Sequence, residues 1–100
     1  MIYFAAKEKF VKIGYSKDPE KRLRQLQTGC PERLKIICTI SGDKKLEKKI
    51  QRLFWRNLEA DEWFILTPGL QMYIRRLAEL GEFQEPNSIE IFCTPQVTQI

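Results

Sequence analysis

Apolar and polar positions alternate along the first fifteen residues and then change period. Ile2, Phe4, Phe10, Val11, Ile13 and Tyr15 supply the apolar and aromatic side chains of two short strands, and the charged run Lys7-Glu8-Lys9 predicts the turn between them. Asp18, Pro19 and Glu20 punctuate a helix start: an N-cap acceptor, a residue without an amide hydrogen to orphan, and a carboxylate at the positive end of the helix dipole. Leu23 and Leu26 mark the inward face of a helix from Pro19 to Gln27, which Thr28-Gly29 ends, with Gly29 expected as a left-handed cap. The β-branched run from Leu34 to Ile40 predicts a third strand, apolar enough for a central or well-covered place in a sheet.

Helical spacing then returns. Leu46, Ile50, Leu53, Phe54 and Leu58 form the stripe of an amphipathic helix over residues 44–58, capped by Asp43, with Lys44, Lys45, Lys48, Lys49, Arg52 and Arg56 on its outer surface. Trp63 to Leu66 reads as a compact anchor or short fourth strand. Thr67-Pro68-Gly69 opens a last long helix through Leu70, Tyr73, Ile74, Leu77 and Leu80, closed by Gly81. Ser88 to Cys93, after the break at Pro86-Asn87, is expected as an additional C-terminal strand, with Thr94 to Ile100 trailing away. The order β-β-α-β-α-β-α predicts an α+β domain: a small antiparallel sheet with three core strands, flanked by helices. One domain spans residues 1–100, with its core over 2–80 and a C-terminal extension over 84–100.

Charge distribution points to a partner. Residues 1–50 carry 13 basic and 6 acidic side chains, net +7, whereas residues 51–100 carry 4 and 7, net −3. A basic half of this kind suits the phosphate backbone of DNA, and equally the solvated surface of any basic domain. Cys30, Cys38 and Cys93 have no CxxC spacing and the chain has no histidine, so neither a zinc site of the usual kind nor a disulfide framework is indicated, and reduced structural thiols are the expectation. The beginning of the chain has no apolar run of signal-peptide type and no stretch reaches membrane-spanning length. A cytoplasmic or intracellular protein with no membrane partner is the expectation.

Pairing of the first two strands, with helices covering the sheet, allows Tyr3, Lys12, Arg22 and Glu47 to converge. Glu47 is suited to hold a divalent cation that polarises a phosphate oxygen. Arg22 offers a planar donor fork to the same phosphate. Tyr3 could position or deprotonate water if cations depressed its pKa, and Lys12 could assist it or neutralise growing charge. Each has an ordinary competitor: packing for Tyr3, solvated charge for Lys12 and Arg22, surface ion pairing for Glu47. Gly14 either relieves packing or lets a phosphate or helix come close to the strand.

The joint order Ile2-Tyr3, Lys12-Ile13-Gly14 and Asp18-Pro19-Glu20-Lys21-Arg22-Leu23, followed by Leu46-Glu47 and Glu62-Trp63-Phe64, resembles the GIY-YIG nuclease superfamily. It is most similar to the small single-domain branch that includes meiotically up-regulated gene 113 proteins and related phage proteins, over about residues 2–75. The resemblance implies metal-dependent hydrolysis of DNA phosphodiester bonds with Mg2+ or Mn2+. It matches Tyr3 to the tyrosine of GIY, Gly14 to the glycine of YIG, Arg22 to the phosphate-binding arginine of the first helix and Glu47 to the metal-binding glutamate. Met1 replaces the first glycine of GIY, Lys12 the first tyrosine of YIG, and Gln51 a histidine frequent in the branch; Asn57 lies too close to Glu47 to match the superfamily's asparagine.

Tyr15, Lys17, Lys21, Arg24, Lys48 and Gln51 are further candidates for substrate binding, with Lys44, Lys45, Lys49 and Arg52 as a wider cationic border. The leading expectation is a metal-dependent DNA endonuclease, acting as monomer, homodimer or part of a larger nuclease or repair assembly. The alternatives are a nucleic-acid-binding module of the same fold with little or no turnover, and a protein interaction domain using the 68–81 helix and the C-terminal segment.

Overall fold

A computed structural model describes residues 1–92. The first hairpin forms as the alternation predicts: β1 (Ile2–Lys7) pairs antiparallel with β2 (Phe10–Tyr15), setting Tyr3 opposite Gly14 and Ala5 opposite Lys12. Side chains of directly opposed residues share a face, so Tyr3, Ala5, Lys12 and Gly14 lie on one side of the sheet, and Ile2, Phe4, Val11 and Ile13 on the other. β3 (Lys35–Ile40) pairs with the free side of β1, through a register shift at Phe4/Ala5. Two three-residue strands, β4 (Leu58–Ala60) and β5 (Trp63–Ile65), extend the sheet beyond β2 to give the order β3-β1-β2-β5-β4, antiparallel throughout.

Helices cover both faces. α1 (Pro19–Thr28) is capped by Asp18, whose carboxylate accepts from the Lys21 amide. α2 (Lys44–Leu53) is capped in the same way by Asp43, and α3 (Pro68–Leu80) by Thr67. Ile50 and Phe54 join Ile2, Phe4, Val11, Ile13 and Phe64 in one core with Leu70, Tyr73, Ile74 and Leu77 of α3. Each such side chain contributes about 1.5–3 kcal/mol when fully buried. α1 meets β1 and β3 without joining this core, so it lies over the face that carries Tyr3.

The α+β class, the sheet flanked by helices and the well-covered place of the third strand are as the pattern predicts: β3 is an edge strand whose apolar character comes from the cover given by α1 and α3. Three local corrections follow. Gly29 is not left-handed (φ −101°); Gln27 stabilises the end of α1 instead, donating to the Cys30 and Glu32 carbonyls and accepting from the Leu34 amide. The 44–58 helix stops at Leu53. The buried Asn57 ties the following turn to Ile65 and Thr67 through its amide nitrogen, which releases Leu58 into β4. The expected C-terminal strand is instead a short helix, α4 (Ser88–Phe92). Asn87 and Glu90 build a reciprocal cap, each side chain accepting from the other's amide at 2.9 Å, and this outweighs the β-branched Ile89 and Ile91. Expectations for Cys93 and for residues 94–100 lie outside the described residues.

Candidate active-site cleft

A cleft of about 610 Å³ opens between the first turns of α1 and α2, lined by Tyr15, Lys17, Lys21, Arg22, Glu47, Lys48 and Glu62 among others. The hairpin supplies its floor and its entry loop. The Asp18 and Asp43 caps fix where the two helices begin, and so where Arg22 and Glu47 project.

Glu47 is 5% exposed, yet its carboxylate makes no ion pair or hydrogen bond among the described residues. Burial raises its pKa above the ordinary 4.5, and the charge of Glu62 raises it further against the opposing pull of Lys48, Lys12 and Lys44. Glu62 is itself balanced: Lys12 Nζ lies 3.0 Å from one of its oxygens and Lys48 Nζ 3.9 Å from the other. Arg22 is exposed and carries no ion pair among the described residues. The cleft therefore holds one carboxylate and one guanidinium that have no ion-pair partner among the described residues.

Tyr3 lies beneath the cleft, 1% exposed, with a buried hydroxyl that makes no hydrogen bond. Burial raises its pKa. The Arg22 guanidinium approaches without hydrogen-bond geometry and partly opposes the rise, while Glu62 and Glu47 add to it. Tyr3 therefore stays a neutral phenol, and the depressed pKa required for a phenolate base is not present in the protein alone. Gly14 explains how the ring fits: a Cβ at that position would stand 2.5 Å from the Tyr3 hydroxyl oxygen and 2.6 Å from Cζ. Room for the Tyr3 ring is its function in the fold.

Among the candidates from the sequence, Tyr15, Lys17, Lys21, Arg22, Glu47 and Lys48 line the cleft, and Tyr3, Lys12 and Gly14 lie beneath or beside it. Two do not reach it. Arg24 lines a separate depression with Leu23, Gln27 and Arg33, because two residues of helix turn it away from Arg22. Gln51 follows Glu47 by one turn and is consumed structurally: its amide donates to the Ile13 carbonyl at 2.7 Å, tying α2 to β2. In the wider border Lys44 lines the cleft, whereas Lys49 is engaged by Glu85 at 2.7 Å. Glu62 is the site residue the sequence pattern did not single out as such. The signal was its place just before Trp63, which pairs with Lys12.

Glu47 with Glu62 nearby fits a hard divalent cation of the Mg2+ type. No three metal-ligating His, Cys, Asp or Glu side chains cluster among the described residues. Mg2+ commonly takes one or two carboxylates and completes its shell with water and substrate phosphates, so a carboxylate without a protein partner at the wall of an open cationic cleft meets its need. No helix among the described residues is long and apolar enough to cross a membrane.

The model of the T5orf172 domain matches residues 1–79, which contain β1 to β5, α1, α2 and every cleft residue named above. No curated protein and no solved structure matches the chain.

Proposed function

This chain belongs to the T5orf172 domain family, which is phage-related, and from that premise we propose that it is a divalent-metal-dependent endonuclease hydrolysing DNA phosphodiester bonds. The observation that carries the reading is Glu47, a largely buried glutamate whose carboxylate has no ion pair or hydrogen bond among the described residues and opens onto a cleft rimmed by cations. A protein stabilises a buried charge by pairing it, and an unpaired one is costly unless a ligand cation completes it. The GIY-YIG-like order of Tyr3, Gly14, Arg22 and Glu47 supports the same chemistry.

Arg22 binds the scissile phosphate through its forked N–H donors. Lys17, Lys21 and Lys44 neutralise flanking phosphates. Glu47 is the primary metal ligand, and Glu62, oriented by Lys12 and Lys48, bears on the same volume. A divalent cation bound there would polarise a phosphate oxygen and make bound water more acidic. The neutral Tyr3 hydroxyl, buried under the cleft beside Arg22, bears on the phosphate through Arg22 and would meet the attacking water only if the cleft floor opened. Hydrolysis joins the water oxygen to phosphorus, breaks one P–O ester bond and leaves a proton on the departing oxygen.

A second reading, a phosphate-binding module without turnover, draws on two observations: Lys12 is committed to Glu62, and burial raises the Tyr3 pKa. Incubation of supercoiled, branched and linear DNA with Mg2+ or Mn2+ separates the two. Cuts that require metal and are lost in Glu47→Ala and much reduced in Tyr3→Phe support the endonuclease; undiminished cuts in both variants reject the site. Tight, salt-sensitive binding that Arg22→Ala weakens, with no cutting of any substrate, supports the binding module.

A further inference from the structure

Lys44, Lys48 and Arg52 recur every fourth residue along α2, a spacing that sets side chains in one row about 6 Å apart. All three are exposed. Lys44 and Lys48 line the cleft, and Lys48 and Arg52 line a second depression together with Trp55, Leu58, Phe64 and the acidic Asp61. The cationic row thus leads out of the cleft and ends at an aromatic ring. Trp55 is 62% exposed and Leu58 49%, an arrangement that costs free energy in water and contributes nothing to the core. The ring is nevertheless held: the Arg56 guanidinium lies 4.7 Å from its centroid and 4.5 Å from that of Phe92.

We propose that this depression seats an unpaired base of a nucleic-acid substrate, stacked on Trp55, while the adjoining backbone follows Arg52, Lys48 and Lys44 into the cleft. The preferred substrate is then DNA with a single-stranded tail or branch, in place of intact duplex. This rests on the reading of the cleft as a nucleic-acid site. Stacking on an aromatic ring is open to every base, and a cation row beside the ring supplies the complementary charge for phosphates. A second copy of the chain is a poorer occupant, since a two-fold contact on this face would bring the Lys48 and Arg52 rows toward one another.

The test is binding of the full chain, without divalent metal, to a short blunt duplex and to the same duplex carrying an oligothymidine tail. The wild type is expected to bind the tailed form about 5- to 100-fold tighter. Trp55→Ala should bind the two forms alike with its affinity for blunt duplex unchanged, and Trp55→Phe should keep most of the preference. In a Trp63→Phe background, the fluorescence of Trp55 should be quenched by the tailed DNA alone. No tail preference in the wild type, or a preference that survives Trp55→Ala, overturns the proposal. So does a dimer in sedimentation velocity that Trp55→Ala dissociates while both DNA affinities stay unchanged. Failure of the cleft reading looks different: Arg22→Ala then leaves blunt-duplex affinity untouched, and the proposal falls with it.

Discussion

Replacing Tyr3 with phenylalanine should make the protein more stable and less active. The Tyr3 hydroxyl is buried without a well-formed hydrogen bond, so folding strips it of water and returns only the attraction of the Arg22 guanidinium. An unsatisfied buried polar group of this kind costs about 1–3 kcal/mol. The nearby Arg22 guanidinium offsets part of that, which puts the expected gain of Tyr3→Phe near the lower end, ~1 kcal/mol. The ring and its packing over Gly14 are retained, so no cavity term opposes the gain. For a domain of 100 residues a gain of that size raises Tm by about 4–8 °C. Tyr73→Phe is the internal control with opposite sign. Its hydroxyl donates to the Gln84 carbonyl at 2.7 Å, and removing it should cost about 0.5–1.5 kcal/mol. Urea and thermal unfolding of the three proteins, without DNA or metal, give both signs. A Tyr3→Phe protein that is destabilised by as much as Tyr73→Phe would refute the orphaned hydroxyl and the reasoning built on it.

Gly14→Ala should destabilise by about 1–3 kcal/mol through overlap with the Tyr3 ring. In a Tyr3→Ala background that cost should disappear in a double-mutant unfolding cycle, and a cost that persists would place the strain elsewhere. Glu47→Gln should be more stable than the wild type at neutral pH in the absence of metal. The folded-state pKa of Glu47 is raised, so the wild type loses stability as pH climbs from about 4.5 through the raised value; the advantage of glutamine should vanish below that window in urea titrations, and an advantage independent of pH would contradict it. Glu90 behaves oppositely, because hydrogen bonds from Arg76 hold its pKa below 4.5. The stability it lends to the docking of α4 is present above that value and should be lost as pH falls through the depressed pKa, read as falling amide protection factors, corrected for intrinsic exchange, in residues 84–92, a pH dependence that Glu90→Gln should remove.

The first half of the site was legible because its residues belong to well-punctuated elements. Asp18-Pro19 fixes the start of α1 and thereby Arg22, and Asp43 does the same for Glu47. Pairing of Tyr3 with Gly14 follows from the hairpin that the charged turn at Glu8-Lys9 announces. Glu62 was hidden because β4 and β5 are three residues each, too short for an alternation to show, and because the stripe ending at Leu58 suggested a longer helix. What broke that helix was a tertiary contact, the buried amide of Asn57 bonded to Ile65 and Thr67, which no local pattern reveals. Gln51 illustrates the reverse: it stands one helical turn after Glu47, and that rise carries it from the cleft to the Ile13 carbonyl. α4 was legible in principle, since Asn87 and Glu90 have capping-box spacing, but Ile89 and Ile91 pull the local preference toward a strand.

The nuclease reading meets its most direct test in the nicking of supercoiled plasmid by wild type and Glu47→Gln, with and without Mn2+ or Mg2+. Because the glutamine variant is expected to fold at least as stably, loss of nicking in it reports chemistry and leaves folding aside. Metal-dependent nicking by the wild type and none by Glu47→Gln is the predicted result. Equal nicking by both, or nicking by the wild type that persists in a chelator, would contradict it.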